Sequence, residues 1–567
     1  MSKIPFEVGF VSSRRGFLKR GLGLGVGGLV AGCGRTVLGV SMGQSTTGPG
    51  LGGDPGPGPG PGPNTPTDPT QPTNPPTDPT PPPKPPTDPT PPPNPPPDPT
   101  PPPPANLQPT LTGSVSQVNA SVTTTQLGSV GTDFVGFSFE KSELTTASFR
   151  SGKTNIVNLF KALGPSLVRI GGSAVDRIVW KPSGSRVSNT IIKSDIDEFA
   201  LFARQTGWRV IYGIGLLNRS AANPADLAAA ADEAQYVIDK MGDIISHFTL
   251  GNEPDNASYT SSDNFNASWL AFKNVIVTKV GNRAFAGPDV TGSGDAIRYT
   301  KPFAEYFAKI IGKGNITLLT HHFYQLSSDR KKVAWSVAEF IKTLLTFPTA
   351  NTADGRKLAD NLAIIKGAAD TLGVKFRITE ANSATSGGEP DVSDVYASAL
   401  WSLDFMFRAA QGGASGVNFH GGDNPFYTPF SFTSSSLVDI RPLYYAMLFF
   451  TMMGSGPVLS SSIDASGQNI SIYSIKTASG FSILFVNKEV SQSFDVSLQL
   501  PNSVSSATSV YLKGPGLSSK TGISIQDATV SVITGNLGPY TSWFVPVSGN
   551  IAKVNVPALT AVLVKVS

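Results

Sequence analysis

The sequence predicts an α/β protein in which a (β/α)8 barrel precedes a C-terminal β-sandwich. Between residues 134 and 422 of the 567-residue chain, eight short apolar runs typical of buried strands alternate with amphipathic helical stretches. Eight strand–helix pairs favour a closed parallel barrel over an open sheet. After residue 455 the helical patterns give way to short alternating strands, which predict the sandwich.

The predicted elements follow one another along the chain without long structureless gaps. The barrel strands are predicted at Phe134–Glu140, Ser166–Ser173, Arg209–Leu217, Ile245–Pro254, Arg283–Val290, Ile316–Tyr324, Lys375–Glu380 and Gly416–Gly422. Helices are predicted at Asp197–Gln205, Asp226–Met241, Ser268–Val280, Pro302–Ile311, Val392–Gln411 and Leu443–Met453. Sandwich strands are predicted at Ile470–Ile475, Phe481–Asn487, Phe494–Leu500 and Ala561–Val566. An alternating segment within residues 110–125 is compatible with a further strand of the sandwich.

Residues 1–32 have the pattern of an export signal. The stretch Ser13–Lys19 resembles a twin-arginine signal, and the apolar run that follows is too short to cross a bilayer of ~30 Å. This run ends in Val30-Ala31-Gly32-Cys33, which resembles a lipobox and predicts lipidation of Cys33. We therefore expect a periplasmic or cell-surface protein, exported by the twin-arginine route and attached to a bacterial membrane only through its lipid anchor.

Residues 33–109 are predicted to be a Pro-rich disordered linker. A ten-residue unit repeats Asp-Pro-Thr at Asp68, Asp78, Asp88 and Asp98. Such a sequence has no apolar face to bury and favours extended polyproline II. We interpret it as a tether, while a proline-rich ligand for a partner domain and a glycosylated stalk remain alternatives. The barrel then occupies residues 110–455 and the sandwich residues 456–567.

Charge and cysteine content narrow the possible partners. The formal net charge is +4, and residues 1–32 hold five basic side chains against one acidic, so the rest of the chain is close to neutral. Without a basic field, a nucleic-acid partner is not expected. Cys33 is the single cysteine, and the four histidines lack zinc-site spacing. We expect no metal, no cofactor and a monomer.

Ionisable residues collect at the carboxyl ends of the predicted strands, where barrels of this type place their chemistry. Glu253 ends the fourth predicted strand and Glu380 ends the seventh. Cleavage of a glycosidic bond uses two carboxyl groups, which lie ~5–5.5 Å apart in retaining enzymes. Strands four and seven face each other across a barrel mouth, so these two residues form a candidate catalytic pair. The alternative is a structural role for each carboxylate in a cap or an ion pair.

Several short strings follow one another in an order that carries a family resemblance. They are Ser138-Phe139-Glu140, Val168-Arg169-Ile170-Gly171-Gly172, Leu250-Gly251-Asn252-Glu253-Pro254-Asp255, Ile378-Thr379-Glu380-Ala381-Asn382-Ser383, the predicted helix from Val392-Ser393-Asp394 to Leu400-Trp401, and His420-Gly421-Gly422. Their order resembles clan A glycoside hydrolases, and more narrowly glycoside hydrolase family 79, the β-glucuronidase and heparanase family. The resemblance extends from about residue 115 to the C-terminus.

This resemblance implies hydrolysis of β-linked glucuronic acid with net retention of configuration. Glu253 would be the acid/base and Glu380 the nucleophile. Asn252 would bind the sugar 2-hydroxyl, and backbone N–H groups of a glycine pair would bind the uronate carboxylate. The substrate-binding residues that the resemblance implies are Glu140, Gly172, Ser173, Asn252, Tyr324, Gly387, Gly388 and Tyr427.

Two other functions remain open at this point. One is a clan A enzyme of different specificity, such as a xylosidase, a glucosidase or an endo-acting glycanase. The other is a catalytically inactive surface lipoprotein that binds glycans. The presence of both carboxylates together with Asn252 favours an enzyme, because glycan binding alone does not require them.

Overall fold

The computed structural model describes residues 107–567, apart from 257, 258, 260, 292–295, 329–334, 349–356, 434 and 435. The predicted signal peptide, Cys33 and the linker up to residue 106 lie outside the described residues. Residues 107–109, predicted as the end of the linker, instead bind the C-terminal sheet. Leu107 forms a bridge with Phe544, and the Gln108 side chain accepts the backbone N–H of Asn555 at 2.8 Å. The sheet therefore holds the chain from residue 107 onward.

Eight parallel strands form a barrel, which confirms the predicted fold class. Around the barrel the hydrogen-bonded neighbours run fourth, third, second, first, eighth, seventh, sixth, fifth. A parallel bridge between Phe248 and Phe285 joins the fourth strand to the fifth. In chain order the strands are Val135–Glu140, Leu167–Gly171, Arg209–Ile214, Ile245–Leu250, Ala286–Val290, Leu318–Leu326, Lys375–Ala384 and Ala414–Gly421.

Helices follow the strands and cover the barrel. The helix predicted from Val392 begins at Tyr396. In the turn before it the Ser393 hydroxyl accepts the backbone N–H of Glu389 at 2.9 Å, and the N–H groups of Tyr396 and Ala397 donate to the carbonyls of Ser519 and Leu517. The predicted helix Pro302–Ile311 is interrupted by wider π-type turns. The described α-helices are Thr154–Ala162, Lys193–Thr206, Pro224–Met241, Ser262–Val280, Lys301–Glu305, Val337–Thr346, Leu358–Leu372, Tyr396–Gln411 and Pro442–Thr451.

The helix Tyr396–Gln411 packs between the barrel and the C-terminal sheet. Nearly all of its side chains are buried, as expected for a helix that is apolar on most of its circumference. Toward the barrel, Trp401 contacts the ring of Phe419. Toward the sheet, Asp404 forms a buried ion pair with Lys488, with 2.6 Å between Oδ2 and Nζ. This helix thus contacts both the barrel and the sheet.

The sheet-rich C-terminal region contains eleven strands in one hydrogen-bonded network. Phe494 and Val562 belong to one apolar core although four strands separate theirs in the sheet order, so the sheet curls over its own core. The long strand Ser114–Val130 precedes the barrel in sequence but lies inside this sheet. The strands are Ser114–Val130, Gly456–Ile463, Ile470–Thr477, Gly480–Asn487, Gln492–Gln499, Ala507–Lys513, Ser524–Ile525, Trp543–Phe544, Val547–Ser548, Ile551–Val556 and Thr560–Val566.

None of the helices within the described residues has both the length and the hydropathy needed to span a bilayer.

Candidate active site

A cavity of about 450 Å³ opens at the carboxyl ends of the barrel strands. All strands of a parallel barrel end at one rim, which brings residues distant in sequence together. Both predicted catalytic residues, Glu253 and Glu380, line this cavity. The other predicted residues in its wall are Glu140, Ser173, Asn252, Tyr324, Gly387 and Tyr427.

Glu380 lies on the seventh strand, and its side chain is 8% exposed. Its Oε1 accepts the Tyr324 hydroxyl and its Oε2 accepts the Arg169 guanidinium, each at 2.8 Å. Burial by itself raises the pKa of this carboxyl. The charges of His420, His322 and Arg169 outweigh burial and lower the pKa well below its ordinary value. Glu380 is therefore a carboxylate at neutral pH, the form in which it can act as a nucleophile.

Glu253 follows the fourth strand with a strained backbone. Its φ of +48° lies in the left-handed region that non-glycine residues rarely adopt. Its N–H donates to the carbonyl of Asp289 at 2.8 Å, and Asp289 has a φ of +54°. Strain of this kind concentrates at functional sites. The Glu253 carboxylate contacts His322 Nδ1 through Oε1 at 2.9 Å and accepts the Asn256 amide through Oε2 at 2.8 Å.

The two carboxylates lie close enough to act on one bond. An oxygen of Glu253, an oxygen of Glu380 and a nitrogen of His322 all lie within 4.8 Å of one another. This spacing is close to the ~5–5.5 Å of retaining enzymes and shorter than the ~6.5–9.5 Å of inverting ones. Burial by itself lowers the pKa of His322, but the charge of Glu380, the nearby Asp289 and the hydrogen bond to Glu253 raise it to about 10. The same three groups could also hold a cation, so the expectation of no metal stays a prediction.

Asn252 is held in place from both sides. Its side-chain oxygen accepts Arg169 Nη2 at 2.7 Å. Its backbone N–H donates to Asp176 Oδ2 at 3.1 Å, while Asp176 Oδ1 accepts the backbone N–H groups of Leu216 and Leu217. With the side-chain oxygen occupied by Arg169, the amide nitrogen of Asn252 is the group that can donate to a substrate hydroxyl.

Arg169 and Asp289 were not identified as site residues from the sequence. Arg169 is fully buried and joins three strand ends, because it donates to Glu380, Asn252 and Asp289. Asp289 Oδ1 also accepts the Thr379 hydroxyl. Asp289 ends the fifth strand, so the strand-end rule that identified Glu253 could have found it. Arg169 lies in one of the strings that carry the family resemblance, but within an apolar strand and not at its end, so the strand-end rule does not identify it.

The Asp289→Asn variant is expected to be strongly destabilised. The substitution leaves the buried guanidinium of Arg169 without one of its two charge partners, and breaking a buried ion pair costs about 3 kcal/mol or more in the free energy of unfolding. Denaturant unfolding measures this loss. The matched control is Asp243→Asn, which breaks an exposed ion pair with Arg204 and should have a much smaller effect. Equal losses in the two variants would contradict the assigned role.

Glu140 forms the side of the cavity next to the first strand. Its carboxylate accepts the backbone N–H of Ala174 at 2.6 Å and the Ser173 hydroxyl at 3.2 Å. Burial raises its pKa, but His420, whose Nε2 lies 3.8 Å from Glu140 Oε1, lowers it below the ordinary value. A Cβ on Gly172 would lie 2.5 Å from the Glu140 carboxylate, and Gly172 has a φ of +64°. Gly172 therefore makes room for Glu140 and does not itself line the cavity.

The two predicted glycines, Gly387 and Gly388, have different roles. Gly387 lines the cavity. The N–H of Gly388 instead donates to the carbonyl of Thr385 at 3.0 Å, and a Cβ at Gly388 would lie 2.9 Å from the Tyr427 nitrogen. Only Gly387 of the pair is thus placed to face a substrate. Burial raises the pKa of Tyr427 well above its ordinary value, so its hydroxyl stays a donor.

A pair of acidic residues supports the segment that carries Tyr427. Glu143 is 8% exposed and accepts the backbone N–H of Asp423 at 3.3 Å. Burial, and then the charge of Asp423, raise the pKa of Glu143 to about 7. Asp423 begins the segment that leads to Tyr427 in the cavity wall. Ionisation of Glu143 therefore places an uncompensated charge next to the active site.

The raised pKa of Glu143 predicts that the stability of the protein depends on pH. Because its folded pKa is about 7 against an ordinary 4.5, the stabilising protonated form is lost as pH rises from 4.5 through 7. Glu143→Gln cannot ionise, so its stability relative to the native protein should increase by up to about 3 kcal/mol across this range. Urea unfolding of both proteins at pH 4.5, 6 and 8 measures the difference. A difference that does not change with pH would contradict this assignment.

Sequence comparison relates the chain to heparanase from Gallus gallus. The two sequences are 25% identical over 296 residues, which is 50% of this chain and 51% of that protein. The chain thus spans about half the length of the curated relative that it matches. No protein-family model matches the chain.

Comparison of folds finds glycoside hydrolases that match the described chain over most of its length. A 4-O-α-L-rhamnosyl-β-D-glucuronidase from Fusarium oxysporum 12S has a TM-score of 0.63 at 19% identity, covering 80% of this chain and 100% of that one. A family 51 arabinofuranosidase from Xanthomonas axonopodis pv. citri has a TM-score of 0.57 at 14% identity, with coverage of 80% and 100%. At these sequence identities, the similarity shows that the fold is shared and nothing further.

The barrel and the two facing carboxylates have the arrangement of clan A glycoside hydrolases, and the proteins to which the chain is similar are of that class. Within that class, similarity to heparanase and the fold shared with the Fusarium glucuronidase confirm the predicted resemblance to glycoside hydrolase family 79.

Proposed function

We propose that this protein is a retaining, β-glucuronidase-like glycoside hydrolase in which Glu380 is the nucleophile and Glu253 the acid/base. The observation that carries the proposal is the approach of the two carboxylates to within 4.8 Å at the barrel mouth. Glu380 is kept ionised by its surroundings, as a nucleophile requires. Glu253 has part of its side chain open to the cavity, where a leaving group can reach it.

The proposed reaction has two steps. In the first, an oxygen of Glu380 bonds to the anomeric carbon while the bond to the leaving oxygen breaks and Glu253 gives its proton to that oxygen. In the second, Glu253 takes a proton from water, the water oxygen bonds to the anomeric carbon, and Glu380 is released. The Asn252 amide would donate to the 2-hydroxyl, a contact that strengthens as positive charge develops on the ring.

The preference for a uronic acid is the finer part of the proposal. The backbone at Gly387 and the hydroxyl of Tyr427 are the groups proposed to bind the carboxylate, and backbone amides can form such an anion site without arginine. Similarity to heparanase and to a glucuronidase supports this choice. One observation favours the alternative of a neutral sugar. Among the described residues that line the cavity, none is Arg or Lys.

A panel of 4-nitrophenyl glycosides tests the choice of sugar. We expect the β-glucuronide to have a higher kcat/KM than the β-xyloside, the β-glucoside and the α-L-arabinofuranoside. Tyr427→Phe should lower kcat/KM for the glucuronide by about tenfold or more, since hydrogen bonds to charged groups contribute about 1.5–3 kcal/mol. The same variant should affect the β-glucoside much less. No preference for the glucuronide, together with an equal effect of Tyr427→Phe on both sugars, would favour the neutral-sugar alternative.

We also propose that the enzyme is exported by the twin-arginine route and anchored through a lipid on Cys33. The support is the signal-like sequence of residues 1–33. Cys33→Ser should release the protein from the membrane fraction, and continued membrane retention of this variant would contradict the anchor.

A further inference from the structure

A second cavity, of about 510 Å³, lies at the amino-terminal ends of the barrel strands. Six of the eight strands contribute their first residues to its wall, and the strand Ser114–Val130 of the C-terminal sheet completes it. This is the end of the barrel opposite the catalytic carboxylates, where residues usually serve stability. The glycosidase reaction makes no use of this cavity, so what it binds is independent of the proposed function.

Basic side chains dominate the wall of this cavity. Arg209, His247, Lys375 and Arg377 line it, and Asp133 is the one acidic residue among its lining. Among the described residues, none of these four basic side chains is joined to a carboxylate in an ion pair. The cavity therefore carries excess positive charge in partly enclosed space, where charges are screened less than on an open surface.

Arg377 is the most unusual member of this set because it is 1% exposed. Its guanidinium donates to neutral acceptors, the Asn418 side-chain oxygen at 2.6 Å and the Phe134 carbonyl at 3.3 Å. A Cβ at position 416 would overlap Arg377 Nη1, so Gly416 makes the space for the guanidinium. The charge of Asp133 offsets the burial of this guanidinium only in part, since burial still lowers its pKa. A buried charge with incomplete compensation is costly. An anion bound beside it would offset that cost.

Ser246 and His247 connect to Arg209 in the wall of this cavity. Arg209 donates to the Ser246 hydroxyl at 2.7 Å, and that hydroxyl contacts His247 Nδ1 at 2.8 Å. Burial, and then the charges of Arg209 and Arg377, lower the pKa of His247 to about 4. Burial likewise lowers the pKa of Arg377 to about 10. The Arg209–Ser246–His247 chain thus holds a neutral imidazole and a fixed guanidinium at the cavity wall.

We propose that this cavity is a binding site for a tetrahedral oxyanion, phosphate or sulfate, held by Arg209 and Arg377 with Lys375 at the rim. Guanidinium groups bind such oxyanions through paired N–H donors, which favours them over halide ions. The cavity volume leaves room for an anion attached to a small organic group. The half-buried Asp133 is the one carboxylate that would oppose the anion.

Isothermal titration calorimetry of the full chain tests this site. Sodium phosphate and sodium sulfate are titrated separately at constant ionic strength, with sodium chloride as the reference. We expect saturable binding of one anion per chain, and the tighter-binding ion identifies whether the natural ligand is a phosphate or a sulfate compound. The Glu380→Gln variant should bind as the native protein does, because its substitution lies in the other cavity.

The double variant Arg209→Gln, Lys375→Gln should weaken binding by about tenfold or more, since charge-assisted hydrogen bonds are lost. Both side chains are exposed, so this variant should fold. The matched control is Lys279→Gln, an exposed cation near the end of the helix Ser262–Val280. The proposal is overturned if neither anion binds saturably, if the double variant keeps the native affinity, or if Glu380→Gln loses the binding.

Discussion

The Glu380→Gln variant is expected to lose hydrolysis of every glycoside that the native enzyme cleaves. An amide at this position cannot bond to the anomeric carbon and leave again, so kcat should fall by at least about 10⁴-fold, as for other covalent nucleophiles. The amide oxygen can accept only one of the hydrogen bonds that Tyr324 and Arg169 donate to the two carboxylate oxygens, so this variant should be less stable than the native protein, while Asp289 still pairs with Arg169. Initial rates of 4-nitrophenol release measure the loss.

The matched control for this variant is Glu305→Gln, which removes a carboxylate at the end of the helix Lys301–Glu305 that does not line the cavity. Its rate should equal that of the native enzyme. Thermal unfolding of both variants confirms that they are folded. A kcat for Glu380→Gln within tenfold of the native value would remove Glu380 from the mechanism.

The Glu253→Gln variant is expected to lose more kcat/KM on substrates with poor leaving groups than on substrates with good ones. An alkyl glycoside needs a proton on its leaving oxygen, so its kcat/KM should fall by about 10²–10⁴-fold. A 4-nitrophenyl glycoside needs little protonation, so its kcat/KM should fall much less. In the native protein, His322 contacts Oε1 of Glu253 and the Asn256 amide donates to Oε2. These neighbours fix the position of the Glu253 side chain.

Azide provides a second measurement on the same variant. Azide attacks the glycosyl-enzyme without needing a general base, so it should accelerate turnover of the 4-nitrophenyl glycoside by Glu253→Gln and yield a glycosyl azide. The native enzyme should not be accelerated. Equal losses for alkyl and nitrophenyl substrates, with no effect of azide, would show that Glu253 does not act as the acid/base.

The strands of the barrel could be predicted because each is a short apolar run bounded by polar residues. The helix start at Tyr396 could not, because the backbone N–H groups of Tyr396 and Ala397 donate to the carbonyls of Ser519 and Leu517, which are distant in sequence. The attachment of residues 107–109 was also missed, since the proline content nearby resembles the tract before it. Gln108 binds Asn555, a partner more than 400 residues away, and no local pattern encodes that contact.

Some residues of the candidate site could likewise be predicted from the sequence and others could not. Glu253 and Glu380 could be predicted because they end strands whose position in the barrel follows from counting. Arg169 could not, because its role arises only where three strand ends converge on one guanidinium. From the sequence, the histidines show only that zinc-site spacing is lacking, and the structure places His322 between the two catalytic candidates. Gly172 and Gly388 are glycines because a side chain would clash with their neighbours, and not because they contact substrate. A sequence motif does not distinguish these two reasons.

The most direct test of the central claim is the configuration of the first sugar released. Proton NMR of a β-glucuronide during the first minutes of hydrolysis separates the two anomers before they equilibrate. Two carboxylates within 4.8 Å of each other predict that the β-anomer appears first. Initial release of the α-anomer would mean that water attacks the sugar directly, and would contradict a covalent intermediate on Glu380.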